Sequence, residues 1–344
     1  MSKTKVRFSD ANIELAHGAG GKASRRLIEG LLVPLLMSDA ATELSDAACV
    51  EVAGHRLAFT ADSFVVKPHV FPGGSIGELA VNGTVNDLAM SGARPLALVT
   101  TLVLEAGLAT SELEREVAAM ARAAQSAGVS VVGGDTKVVE HGKADGLYIT
   151  TAGIGLTDPR VSLSAQQVRP GDQVILSGYI GDHGITVLLA RGELDLEADL
   201  RSDTRPLWPL VAPLIDAAAP GLKWMRDPTR GGVATALNEL ARDIGMAVVL
   251  DEEAVPVRPA VRGACEILGL DPLHIANEGQ FLAVVSAEYA EAALEALRRV
   301  PGGEDARRIG EIREEPNKVV LARSRYGGTR VIDMLVGDPL PRIC

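Results

Sequence analysis

The stretch from Ser75 to Ser91 places the strongest constraint on what this chain can fold into. It predicts a helix that is apolar nearly all the way round, and such a helix has to be buried on every side. The same stretch carries Asn82, Asn86 and Asp87. Buried polar groups need partners. The segment therefore predicts either a metal ion or bound nucleotide beside the helix, or a structural hydrogen-bond network.

A helix that is buried on every side needs a larger apolar core than one small domain supplies. The length of 344 residues likewise favours two domains. Strand-like and helix-like segments alternate irregularly, which predicts an α/β or α+β fold with mixed sheets and flanking helices. The segment Thr157-Asp158-Pro159 is typical of a boundary. We expect a first domain over residues 1–157, an α/β domain over 158–330 and a flexible tail over 331–344.

The net charge, the apolar stretches and the cysteines argue against several classes of protein. The net charge of −11 argues against a nucleic-acid binder, which needs Lys and Arg for phosphates. No secretory signal follows Met1, and the densest apolar stretch, Leu27 to Met37, is too short to span a membrane. The three cysteines are far apart and form neither a disulfide framework nor a zinc pattern. A cytoplasmic protein with reduced thiols is expected.

The last seven residues differ in kind from the rest. Pro339 and Pro341 forbid a helix and favour an extended chain, so we expect a tail that projects from the globule. It ends in Cys344. An exposed free thiol is a chemical liability, which favours a functional role for Cys344 over an inert terminus. Cys49 and Cys265 lie in apolar patterns and are expected in the core.

Several segments have the composition of anion or cation sites. The glycine segment Gly18–Lys22 fails both as a Walker A loop and as a dinucleotide motif, because the first glycine is absent and no clear strand precedes it. Gly133-Gly134-Asp135-Thr136 follows a strand, where glycine N–H groups can approach an anion. Asp227–Gly232 opens a helix whose free N–H groups suit phosphate, although the glycines could equally serve a tight turn.

Four aspartates end apolar runs: Asp46, Asp62, Asp87 and Asp135. Each one alone is typical of a turn or a helix cap. Asp87 is the exception, because it lies inside the apolar helix.

Taken together, these segments resemble the HypE family of hydrogenase expression/formation proteins, in the superfamily of aminoimidazole ribonucleotide synthetase and selenophosphate synthetase. The resemblance covers almost the whole chain, and its most specific piece is the ending Pro-Arg-Ile-Cys. The other motifs that carry it are His17–Gly21, Thr60–Val66, Phe71–Gly74, Asn82–Ala93, Gly133–Val139, Gly181–Gly184, Asp227–Gly232 and Asn277–Gly279.

The resemblance implies a two-domain aminoimidazole ribonucleotide synthetase-like fold and an ATP-dependent dehydratase. A HypF-like carbamoyltransferase would load a carbamoyl group onto Cys344, and ATP would drive its conversion from S-carboxamide to S-cyanide. The cyanide would go to the iron of a [NiFe]-hydrogenase on a HypC–HypD-like maturation complex. The first domain would bind nucleotide and form a homodimer, with ATP and Mg2+ in a cleft.

The resemblance also implies site residues. Asp46, Asp62, Asp87 and Asp135 would hold metal, with Asp46 the weakest because Ser45 stands where relatives often have a second acid. The residues implied for nucleotide binding are Gly20, Gly21, Asn86, Gly133, Gly134, Thr136, Thr229, Gly231 and Gly232.

Dehydrating an amide makes oxygen a leaving group, which phosphorylation achieves, and it removes an N–H proton. Lys137 is the candidate for stabilising the transferred phosphoryl charge and Glu278 the candidate base. His183 is the second choice for the base, and a satisfied structural histidine is an equal alternative. Two other functions stay open. One is a small-molecule kinase or synthetase acting on thiamine phosphate or selenide, and the other is a non-enzymatic scaffold that docks through its tail.

Overall fold

The chain was examined as a computed structural model. The structure describes residues 8–18, 20–37, 45–192, 194, 196, 198–337, 340 and 342–344. The segment before the first strand carries two short α-helices, with one π-helical turn at Ile28–Leu32 between them. The α-helices are α1 Lys22–Leu27, α2 Val33–Leu36, α3 Ile76–Met90, α4 Thr110–Ala127, α5 Asp182–Ala190, α6 Trp208–Ala218, α7 Gly232–Ile244, α8 Pro259–Leu268 and α9 Ala290–Arg298.

Two main sheets organise these helices. The strands are β1 Ala48–Val52, β2 His55–Phe64, β3 Val70–Phe71, β4 Gly74–Ser75, β5 Ala93–Glu105, β6 Ser130–Val139, β7 Leu147–Thr157, β8 Gln173–Leu176, β9 Leu222–Arg226, β10 Ala247–Asp251, β11 Leu282–Val285, β12 Arg307–Arg313, β13 Val320–Arg323 and β14 Thr329–Ile332. The first sheet has the order β1-β2-β7-β5-β6 and the second β14-β13-β10-β12-β8-β11-β9. Each combines parallel and antiparallel pairs, as the sequence predicted.

The first sheet has one covered and one open face. Alternate residues of β7 are buried because α3 packs on that face, where Thr151 donates its hydroxyl to the carbonyl of Ala80. The opposite face is open in the single chain and presents the apolar side chains of Phe59 and Val99 to solvent. The predicted buried helix is confirmed as α3, whose apolar side chains are buried on all sides.

The C-terminal segment differs from the expected projecting tail. The predicted start of the tail at residue 331 falls inside β14, which pairs with β13. Leu340 and Ile343 are only 3% and 2% exposed, because they pack into the same apolar core as the first domain's Phe64. Burying two such side chains is favourable by about 1.5–3 kcal/mol each. The expectation of a projecting tail is therefore wrong for residues 340 and 342–344, while Asp338, Pro339 and Pro341 lie outside the described residues.

Among the described residues, none of the helices combines the length and the apolar character that a membrane crossing needs.

Candidate active site

Three carboxylates from three parts of the chain meet at one point. Asp46 precedes β1, Asp87 lies in α3 and Asp227 directly follows β9, and one carboxylate oxygen from each lies within 4.8 Å of the others. The hydroxyl of Thr60 donates to Oδ2 of Asp87 at 2.7 Å. The helix that the sequence predicted to be buried thus brings its acid to the junction of the two sheets.

Burial raises the pKa of each of these acids. Desolvation is the largest cause for Asp87 and Asp227, whose pKa values lie well above the usual range, and the neighbouring carboxylates add to it. Desolvation raises the pKa of Asp46 to about 6, although Arg226 at 3.0 Å opposes the shift. Oxygen ligands with this excess of negative charge fit a hard divalent cation such as Mg2+.

Asp227 was missed as a candidate metal ligand. From the sequence, the segment Asp227–Gly232 indicated a helix start suited to phosphate or a tight turn. The available signal was an acid directly after a strand and before Pro228, at a place where strand ends gather.

Asp62 lies on β2 close to an exposed arginine, Arg230. Its Oδ1 is 3.6 Å from Nη2 of Arg230, and its charge is also felt at Asp87. Arg230 donates from Nη1 to the carbonyl of Gly18 at 3.2 Å. A Cβ on Gly20, whose φ is +79°, would lie 2.5 Å from Cβ of Arg230, so the glycine segment packs directly on this arginine. A Cβ on Gly21 would likewise lie 2.5 Å from the carbonyl oxygen of Leu335.

The two glycines at the start of α7, Gly231 and Gly232, allow the chain to pass close to the segment Leu273–Ile275. Gly231 and Gly232 have φ values of +75° and +62°. A Cβ on Gly232 would lie 2.6 Å from the carbonyl oxygens of Leu273 and Ile275. Thr229 accepts the Gly232 N–H through its carbonyl. The geometry therefore favours the tight-turn alternative for these glycines, and phosphate binding by Thr229, Gly231 and Gly232 stays a prediction.

The Gly133–Lys137 segment lies away from the acidic cluster. Across the first sheet, Asp62 pairs with Thr151, Thr151 is level with Thr100, and Thr100 pairs with Gly134. Three strand spacings separate Asp62 from Gly134, which is about 14 Å. The expectation that Asp135 joins Asp62 and Asp87 is therefore not met within one chain.

Asp135 also belongs to the other face of the sheet. It is in register with Thr101 and, through Thr150, with Ser63, whose side chains point away from α3. Its carboxylate accepts from Nζ of Lys137 at 2.7 Å, which lowers the pKa of Asp135. Thr136, Gly133 and Gly134 lie on the same exposed edge strand β6.

Glu278 is a buried acid next to the cluster. Burial is the main reason that the pKa of Glu278 lies well above its usual range, with Asp227 and Asp203 adding to the shift and Arg230 opposing it. Its Oε1 has no hydrogen-bond partner among the described residues. Its backbone N–H donates to Oδ1 of Asp203 at 3.0 Å, so the residue is held firmly while its carboxyl group remains available.

Asn86 connects the two halves of the chain. Its Nδ2 donates to the carbonyls of Arg205 and Glu278 at 3.0 and 3.2 Å, and its Oδ1 accepts the Leu207 N–H at 2.8 Å. Both amide hydrogens and the carbonyl are thus engaged. These contacts favour the structural hydrogen-bond network for Asn86, and nucleotide binding by Asn86 stays a prediction.

His183 holds the C-terminal segment. Its Nε2 donates to the carbonyl of Ile343 at 2.9 Å, and its Nδ1 accepts from the hydroxyl of Ser202 at 2.8 Å. Full burial lowers the pKa of His183 to about 4, so the ring is neutral at pH 7. These contacts favour the structural alternative over a general base.

His183 makes a testable contribution to the pH dependence of stability. The unfolded imidazole is protonated below its ordinary pKa of about 6.5, whereas the folded one stays neutral down to about pH 4. Stability is therefore lost as pH falls through this window, by about 3 kcal/mol in total. We expect His183→Gln to remove this loss in denaturant titrations at pH 7 and pH 4. The exposed His141→Gln should keep it, and equal slopes for both variants would contradict the assignment.

Cys344 lies close enough to Arg230 for its charge to act on this arginine. Its negative charge is the largest cause of the raised pKa of Arg230, the arginine that also faces Asp62 and Glu278. The backbone N–H of Val65 donates to the Cys344 carbonyl at 3.1 Å. The chain thus brings a terminal thiol, a buried acid and a cluster of potential cation ligands together.

Comparison with known proteins identifies the family. Models of AIR synthase related proteins match residues 44–157 with their N-terminal domain and 169–322 with their C-terminal domain. The carbamoyl dehydratase HypE of Azotobacter vinelandii is 48% identical over 344 residues, covering all of both chains. This chain belongs to the HypE family.

Solved structures of HypE proteins have the same fold. A HypE–HypF complex matches with a TM-score of 0.85 and 43% identity, over 90% of this chain and 99% of that one. A HypE in complex with ATP matches with a TM-score of 0.80 and 43% identity, over 97% of this chain and all of the other. The family resemblance drawn from the sequence and the two-domain mixed α/β fold are confirmed.

Proposed function

We propose that this protein is an ATP-dependent carbamoyl dehydratase that converts an S-carboxamide on Cys344 into an S-cyanide for the iron of a [NiFe]-hydrogenase. The observation that carries the proposal is that the charges of Cys344, Asp62, Glu278 and Asp87 all act on Arg230, and that Asp87 belongs to the acidic cluster. HypE relatives are named carbamoyl dehydratases, and one binds ATP. A substrate attached to the chain's own end accounts for the docked tail.

The chemistry needs the amide oxygen to become a leaving group. The oxygen attacks the γ-phosphorus of ATP as the nitrogen loses one proton, and ADP departs. The C–O bond then breaks, phosphate leaves with the oxygen, and loss of the second N–H proton forms the C≡N bond. Glu278 is the base for this proton, because it is buried, fixed and has a raised pKa. Arg230 stabilises the negative charge that develops on phosphate.

Mg2+ is part of the proposal. Asp46, Asp87 and Asp227 would hold it, with Asp62 nearby, and it would neutralise phosphate charge and align the triphosphate. The chain's own residues then orient the tail, exclude water and take the proton.

A homodimer would complete the site. The open face of the first sheet exposes apolar side chains that a second copy can cover. Asp135 and Lys137 lie on the exposed edge strand of that sheet, about 14 Å from the cluster of their own chain. We assign Gly133, Gly134, Thr136, Asp135 and Lys137 of one protomer to the cleft of its partner. This keeps their proposed roles in phosphate, metal and phosphoryl binding.

The partners and the division of the chain follow from the same proposal. A HypF-like carbamoyltransferase would load Cys344, in line with the solved HypE–HypF complex, and a HypC–HypD-like complex would receive the cyanide. We expect the protein to act with these partners in the cytoplasm. Residues 1–157 would form the nucleotide-binding and dimerisation domain and 158–330 the second domain, and the carrier segment expected over 331–344 would begin after β14, which ends at Ile332.

Intact mass after incubation with carbamoyl donor, carbamoyltransferase and ATP tests the proposal. We expect an adduct on Cys344 that is lighter than the carboxamide by one water. Cys344→Ala should carry no adduct, and Cys49→Ala should carry it unchanged. An adduct on Cys344→Ala would refute the proposal. ATP turnover that survives removal of residues 339–344 would instead favour a small-molecule kinase or synthetase.

A further inference from the structure

Arg342 makes several of the polar contacts that join the docked tail to the rest of the chain. Its Nη1 donates to Oδ2 of Asp145 at 2.5 Å and its Nε donates to the carbonyl of Val65 at 3.1 Å. Its own carbonyl accepts from the N–H of Lys67 at 3.3 Å and from Nη2 of Arg191 at 3.0 Å. Three separate places in the chain, the segment Val65–Lys67, Asp145 and Arg191, thus meet at this residue.

Arg342 adopts a backbone conformation that needs support. Its φ is +56°, in the left-handed region that a residue with a side chain rarely adopts. The turn aims Ile343 into the core and lets the Cys344 carbonyl accept from the Val65 N–H. The contacts of Arg342 therefore offset the strain that this turn introduces.

Asp145 is the charged partner in this arrangement. It lies in the connection between β6 and β7, and its carboxylate accepts from Nζ of Lys67 at 2.9 Å as well as from Arg342. These two cations lower the pKa of Asp145, so it stays ionised near neutral pH. Among the described residues, Asp145 is the carboxylate that forms an ion pair with Arg342, whose Nη2 is buried without a hydrogen-bond partner.

The Asp145–Arg342 pair differs from the other tail contacts in its access to water. Both side chains are about one-third exposed, at 35% and 33%. The His183 contact to Ile343 lies in the buried interior instead. Water or a competing charged group can reach the ion pair without opening the core.

We propose that Asp145 is a positioning residue that binds Arg342 and so helps to hold the Cys344 end of the tail in its docked position, and that loss of this ion pair makes release of the tail more frequent. The role in the reaction rests on the proposed function, because a thiol loaded by one enzyme and processed in this cleft has to occupy two places. The docking itself does not depend on that function.

Hydrogen exchange at the amides of Val65 and Lys67 tests the role of this ion pair, since these N–H groups donate to tail carbonyls. In Asp145→Asn we expect both amides to exchange about threefold faster, in line with the loss of a partly exposed ion pair. The matched control is Glu311→Gln. Glu311 is also 35% exposed and pairs with Arg313 at 2.5 Å, on β12 of the second sheet. Wild-type exchange in Asp145→Asn, or equal acceleration in Glu311→Gln, would overturn the proposal.

A second measurement separates positioning from general stability. In single-turnover dehydration of pre-carbamoylated protein, Asp145→Asn should lower the rate at saturating ATP by about threefold and leave the affinity for ATP unchanged. Asp145→Glu should recover part of the rate, because it restores the charge. A parallel loss of ATP affinity and thermal midpoint would assign Asp145 a structural role only. The exchange experiment uses neither ATP nor carbamoyl donor, so a failure of the dehydratase proposal would leave its result intact.

Discussion

Replacing Asp227 by asparagine is expected to lower ATP-dependent dehydration by at least about a hundredfold while raising the thermal midpoint of the protein. Asp227 supplies one of three clustered carboxylates, and charge neutralisation at a transferring phosphate contributes on this scale. Burial is the main reason that the pKa of Asp227 lies well above its usual range, and without a cation the repulsion from Asp46 adds to the shift. A neutral amide of the same shape removes that repulsion.

Thermal unfolding with and without Mg2+ measures both halves of this prediction. Wild-type protein should gain stability as Mg2+ is added, because the ion binds the folded state, and Asp227→Asn should gain much less. Asp216→Asn is the control, since Asp216 is an exposed acid paired with Arg160 away from the cluster. Full activity in Asp227→Asn, or a midpoint below that of wild type in metal-free buffer, would show that the carboxylate has another role.

Replacing Glu278 by glutamine is expected to slow the dehydration of carbamoylated Cys344 by about 10²- to 10⁴-fold, the usual contribution of a general base. Glutamine keeps the shape and the backbone N–H that binds Asp203, so the site should stay folded. ATP affinity should change little, because the lost group acts on the N–H proton rather than on phosphate. Single-turnover rates on preloaded protein give the first quantity, and nucleotide titration gives the second.

The pH profile distinguishes a base from a merely structural acid. The wild-type rate should fall as pH drops through the raised pKa of Glu278, because a protonated carboxyl cannot accept the proton. Glu278→Asp should keep this dependence at a lower rate, since its carboxylate is one methylene short. A Glu278→Gln variant within a few-fold of the wild-type rate would eliminate Glu278 as the base.

The sequence was sufficient for the fold because its strongest pattern is local. The apolar helix over residues 75–91 and the strands around it depend on hydrophobic periodicity, and the motifs of the HypE family span nearly the whole chain. The polar residues of that helix were correctly identified as needing partners. Their individual partners were not predictable, because Asn86 and Asp87 are adjacent in sequence but point to a backbone network and to a carboxylate cluster respectively.

The positions of the C-terminal tail and of the edge strand β6 were harder to predict from the sequence, for a different reason. The composition of the last residues indicates an extended chain, but whether it docks depends on a cavity built from distant segments such as Val65–Lys67 and α5. Likewise, Gly133–Lys137 carries a phosphate-like pattern, and only the strand order separates it from the acidic cluster of its own chain. Contacts between segments that are distant in sequence determine both the docking of the tail and the position of Gly133–Lys137. Local composition does not predict such contacts.

The Asn86 network also limits how this protein can admit its substrates. Any hinge motion between the halves would strand the amide of Asn86 and the backbone groups of Arg205, Leu207 and Glu278 without partners in an apolar interior. Opening of the two halves relative to each other is thus a costly way to admit substrates to the site. We expect the carbamoyl group to be moved instead by a displacement of the short C-terminal segment, while the two halves keep their relative arrangement.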